Sequence, residues 1–181
     1  MQGILLVHGA CVLITAVAAV TDWRTGKIPN WLTLPPLVIA PVVHFLAGGD
    51  NGQLAFLLSL GGLLACGLVP YVIFRLKGMA GGDVKLFAAI GAIAGPFVGI
   101  EAQFYAFVFA ALFALAKLAW HGKLLRTLGN SFYLGLNPVL PKRWRKKVTP
   151  ELMSTIRLGV AIFVGTVTAA IMNLPPLWTL A

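Results

Sequence analysis

The chain has 181 residues, of which 59% are apolar and only 10% charged, against about 45–50% and about 25% in an ordinary soluble domain. At a mean hydropathy of +0.91 there are too few polar side chains to cover a water-soluble globule. The same hydropathy excludes nucleic-acid binding as the meaning of the net charge of +9, and at about 20 residues per membrane crossing no sizeable soluble domain fits beside the spans.

Six apolar segments follow in chain order: 3–21, 31–47, 54–74, 86–100, 102–120 and 154–172. They predict an all-α, polytopic membrane protein with six transmembrane helices in one bundle, a single domain over 1–181. The fourth segment is short and contains Pro96, and Glu101 is expected to form a tight bend before the fifth. Cys11 and Cys66 lie inside apolar runs without a CxxC pair and read as small core residues. His8 and His44 lie in apolar spans, and His121 opens a loop. No two of them have ligand spacing, so no metal site is expected. Ala16-Val17-Ala18 resembles a signal-peptidase site, but residues 1–10 carry no Lys or Arg and positive charge follows the stretch instead. A retained first span is expected.

All 14 basic residues fall in, or beside, the connections 22–30, 75–85 and 121–153. They are Arg24 and Lys27, then Arg75, Lys77 and Lys85, then Lys117 through Arg157. The loop around Asp50 and the bend at Glu101 have none. Basic connections stay in the cytoplasm, so both termini are expected outside. In the last loop, Lys142, Arg143, Arg145, Lys146 and Lys147 surround Trp144. Beside a membrane such a segment attracts anionic lipid at about 1 kcal/mol per cation.

The acidic residues are only five: Asp22, Asp50, Asp83, Glu101 and Glu151. Three fall in loops or bends, where a solvated charge costs little. Asp22 and Asp83 each sit where an apolar span meets a cytoplasmic connection, and ionisable groups at such depth are expensive and tend to be functional. As plain helix-end charges they would also make sense, since Asp83 suits a helix N-terminus. The local texts are Asp22-Trp23-Arg24-Thr25-Gly26-Lys27-Ile28-Pro29-Asn30 and Gly78-Met79-Ala80-Gly81-Gly82-Asp83-Val84-Lys85. Gly81 and Gly82 let another backbone come close to the carboxylate. If helices one and four are neighbours, two carboxylates share one site and hold a single proton between them. One member then activates water and the other donates to a carbonyl oxygen, which is aspartyl protease chemistry.

At these residues the sequence resembles the type IV prepilin peptidases, membrane aspartyl proteases of the GxGD kind. D-x-R-x-x-x-I-P-N after the first span and G-D-x-K before the fourth carry the resemblance, which extends over most of the chain in motif order and span count. It implies that Asp22 and Asp83 are the catalytic pair and that the cut follows a glycine just before the substrate's own hydrophobic helix. It also implies a multi-pass protein of the prokaryotic inner membrane that works without a cofactor. The implied partner is a prepilin-like protein with a hydrophobic N-terminal helix. Two departures stand out. Alanine occupies position 80, where the family motif has its first glycine, and the four-cysteine insert of the long members is missing. The chain is therefore similar to the short members found with Flp/Tad pili, with archaeal preflagellin peptidases as the nearest alternative.

Around the pair, Arg24 and Lys27 are expected to orient the loop or meet anionic lipid. Lys85 is expected to snorkel to the membrane surface, because residues i and i+2 on a helix do not face each other. Pro29 fixes the chain before the second helix and Asn30 is expected to cap it, so Ile28-Pro29-Asn30 reads as a clamp that aims Asp22. Two other functions fit the composition: a small proton-coupled transporter and a non-catalytic pilus-assembly subunit. Against the first, both aspartates lie at one face. Shared placement is testable. In a chain lacking Cys11 and Cys66, Thr25→Cys and Gly78→Cys are expected to be shielded from an impermeant thiol reagent in intact cells, while Gly52→Cys reacts. Labelling of positions 25 and 78 from opposite sides would separate the two carboxylates for good.

Overall fold

The computed structural model describes residues 2–120 and 158–174. The helices are α1 (Gln2–Thr25), α2 (Asn30–Ala47), α3 (Gly52–Arg75), α4 (Gly81–Trp120) and α5 (Leu158–Met172), with a 3-10 turn at Gly49–Asn51. Residues 2–109 and 158–174 belong to one compact unit. A second unit contains, among the described residues, only the helical stretch 110–120. The loop 121–153 with its polybasic segment, His121, Glu151, Arg157 and the start of the sixth predicted span lie outside the described residues.

The architecture is all-helical among the described residues, and four helices are long and apolar enough to cross a membrane. The remaining one, α5, has 15 described residues. Their outward side chains are large and apolar: Leu6, Leu13, Val38, Leu46, Leu64 and Leu68 are all exposed. Small or weakly polar residues such as Cys11, Thr15, Ala18, Ser59 and Cys66 are buried instead. That inversion follows from lipid as solvent. Leucine gains nothing by leaving it, so helix contacts are made by side chains that let backbones approach.

Helix α4 is not straight. Phe87 and Phe107 stack with ring centroids 5.5 Å apart, although a continuous helix would hold them about 30 Å apart. The chain reverses at Gly95, whose φ of 79° and ψ of 176° interrupt the helix. Only glycine adopts that combination readily, and Pro96 next to it suits the first turn of the returning arm because it has no N–H to satisfy. The bend expected at Glu101 is thus corrected to Gly95–Pro96. Glu101 itself is helical and exposed, and accepts a hydrogen bond from Asn173 Nδ2 at 2.5 Å. The two segments 86–100 and 102–120 read from the sequence fall in this one folded-back element.

Breaking a helix inside an apolar bundle leaves backbone carbonyls without donors, and lipid supplies none. Ala92 is four residues before Pro96, and its carbonyl accepts instead from the Ser59 hydroxyl at 2.6 Å. The Ile93 carbonyl accepts from His44 Nε2 at 2.9 Å. Gly62 of α3 and Gly91 of α4 meet so closely that a Cβ on either would collide with the other's carbonyl oxygen. The first arm of α4 is the centre of its unit, buried without interruption from Leu86 to Ile93. Along its flanks α1 runs against α5, and α2 against α3.

Because the reversal depends on a backbone conformation that a side chain opposes, Gly95→Ala is expected to lower stability by about 1–3 kcal/mol. Unfolding followed in detergent would measure this, and an unchanged midpoint would mean that the turn has another basis.

Candidate active site

On α1 the buried residues Cys11, Thr15, Ala18 and Asp22 recur at spacings of four, three and four, which is one helix face. Asp22 therefore points into the bundle for the same reason that its apolar predecessors do. The helix ends just past it. Gly26, with φ 68°, donates its N–H to the Asp22 carbonyl at 2.8 Å, a left-handed cap that places Asp22 in the last turn. On α4 the buried face reads Asp83, Phe87 and Ile90. Asp83 is the third residue of that helix and accepts from the backbone N–H of Ala80, half of a capping box.

The two carboxylates come together. Asp22 is 7% and Asp83 6% exposed, and they are close enough for like-charge repulsion between them. Such burial is unfavourable unless donors compensate it. One donor to each is visible: Ala80 N–H for Asp83, and Gly159 N–H for Asp22 Oδ2 at 3.0 Å.

The two connections that carry the aspartates are pinned to one another. Ile28 lies over Gly82 so tightly that a Cβ there would sit 3.0 Å from the Ile28 Cβ. Lys85 Nζ donates to Asn30 Oδ1 at 2.8 Å. Gly81 faces the Phe74 ring, 3.5 Å from where its Cβ would be. Two expectations need correcting here. Asn30 does not cap α2, because Pro29 is the N-cap residue and no side-chain cap bond forms. Lys85 is not merely a surface anchor, since Asn30 holds its ammonium. That bond crosses between segments 55 residues apart in sequence, so no local spacing could announce it. Arg24 and Lys27 are exposed, and among the described residues no hydrogen bond joins them to the pair.

Gly159 was invisible to sequence reading, being one glycine among several in an apolar run. The sequence puts His8 and His44 in apolar spans but does not join them. His8 and His44 line one cavity of about 380 Å³ together with Ile93 and Asn173. It lies toward the end of α1 away from Asp22, about 20 Å along the helix. His8 Nδ1 is buried and has no hydrogen-bond partner among the described residues.

A family model described as the type IV leader peptidase family matches residues 9–115, a stretch that includes Asp22, Asp83 and everything between them. No curated protein and no solved structure matches.

The cross-connection bond makes a measurable claim. Lys85→Ala, Asn30→Ala and the double variant are expected to show a coupling of about 1 kcal/mol in unfolding stability. Strict additivity would mean that the bond does not hold the two segments together.

Proposed function

Since the chain belongs to the type IV leader peptidase family, we propose that it is a membrane aspartyl endopeptidase that removes the leader of prepilin-like precursors, with Asp22 and Asp83 carrying the reaction. The observation that supports this most directly is the pair itself: two carboxylates more than nine-tenths buried and within electrostatic reach of each other. A pair of this kind shares one proton. Its ionised member takes a proton from water as the water oxygen attacks the scissile carbonyl carbon. Its protonated member donates to the carbonyl oxygen. The tetrahedral intermediate then collapses, the C–N bond breaks and a proton passes to the leaving amine. No cofactor enters these steps.

Alanine at position 80 does not weaken the reading. The group that position offers to Asp83 is its backbone N–H, which glycine and alanine share. A relay of ions through the aspartates finds less support, because the other described acids, Asp50 and Glu101, are both exposed. In the finer reading the substrates are short Flp-type precursors cut after a glycine, at the cytoplasmic face of the inner membrane, with both termini of the enzyme outside. The Lys142–Lys147 segment holds anionic lipid there.

Asp22→Asn and Asp83→Asn are each expected to abolish cleavage of a co-expressed Flp-type precursor while the protein still inserts in the membrane. The two groups act as a unit, so losing either removes both proton roles. The gel shift of the lost leader reads the outcome, and processing by either variant would overturn the assignment.

A further inference from the structure

We infer that Gly159, on the last described helix and outside the stretch matched to the family, is a positioning residue for Asp22. The inference rests on the peptidase reading above and adds α5 to its machinery. Three observations carry it.

The first is the hydrogen bond from the Gly159 N–H to Asp22 Oδ2, 3.0 Å long, between residues 137 apart in sequence. Gly159 lies on α5, and its N–H is directed at the carboxylate oxygen. The second is the position of Asp22 on its own helix. In the last turn of α1 its negative charge faces the negative end of that helix's dipole, so α1 disfavours the charge that α5 accommodates. Asp83, in the first turn of α4, has no such conflict.

The third is space. A Cβ on Gly159 would lie 2.8 Å from the Asp22 Cβ and 2.9 Å from Oδ2. The carboxyl group occupies the volume that a side chain would take. Gly159 also stands in register with Ile162, Thr166 and Ala169, the buried face that α5 turns inward. The residue thus does two things at once: it orients one carboxylate oxygen with a fixed donor, and it leaves room for the group to sit there. Chemistry with a near-attack geometry is sensitive to displacements of about 1 Å, which can reduce turnover about a hundredfold.

The test uses the full chain in detergent or vesicles with a Flp-type precursor as substrate, and compares four variants. Gly159→Ala keeps the N–H but fills the space; Gly159→Pro also removes the N–H. Gly165→Ala, on the same helix, would clash with the Ala106 and Ala102 backbone rather than with an aspartate. Gly9→Ala, with nothing within 4 Å of its Cβ, is the neutral control. The expected result is a kcat lowered about a hundredfold in both Gly159 variants with KM little changed. Gly165→Ala is expected to lower the unfolding temperature without that selective loss, and Gly9→Ala to behave as the parent.

Wild-type kcat in both Gly159 variants would overturn the inference. So would matching losses of kcat and stability at Gly159 and Gly165, because α5 would then act only as a packing element. Failure of the peptidase reading looks different: Asp22→Asn and Asp83→Asn would go on processing whatever Gly159 does.

Discussion

Two buried carboxylates within electrostatic reach repel one another, and burial takes each of them out of water. Much of the structure near Asp22 and Asp83 can be understood as an answer to that difficulty. Each carboxylate receives a backbone N–H, from Ala80 in one case and from Gly159 in the other. Backbone donors suit this task because a helix fixes their direction and they cannot swing away. The connections that deliver the two acids are joined by Ile28 resting on Gly82 and by Lys85 bonded to Asn30. Repulsion therefore acts on a pair whose backbones are already held.

The same shortage of water governs the other end of the bundle. Reversing α4 at Gly95 frees the carbonyls of Ala92 and Ile93, and side chains from two different helices take their place as donors. Ser59 and His44 are the polar residues one would otherwise find odd in apolar spans. Their positions follow from the break: each lies where the returning chain has left an acceptor. Glycines at 62 and 91 bring α3 and α4 close enough for those bonds to form.

The folded-back α4 also links the two ends. Its first arm carries Asp83 near its start and finishes at the reversal, so the residue that carries a carboxylate and the residues that close the far cavity belong to one arm, buried from Leu86 to Ile93. The helices beside it supply Asp22, Gly159 and the cavity wall at His8 and His44.

What the sequence by itself determined rests on composition and on local order. Hydropathy dictates membrane helices, because lipid admits only chains that satisfy their backbone internally. The scarcity of acids isolates Asp22 and Asp83, and the motifs around them identify the family that the model match over 9–115 supports. Even the inward direction of both aspartates is implicit in the three- and four-residue spacing of small residues before Asp22 and of large ones after Asp83. Long-range pairing is another matter. That Lys85 meets Asn30, that Gly159 reaches Asp22 and that His8 and His44 share a cavity were decided only by the tertiary structure. Each such contact joins residues dozens of positions apart, and the glycines that allow them have no side chain to advertise it. The bend misassigned to Glu101 has the same origin. A lone charge in an apolar run reads as an end, whereas the reversal at Gly95 depends on backbone angles and on the donors waiting across the bundle.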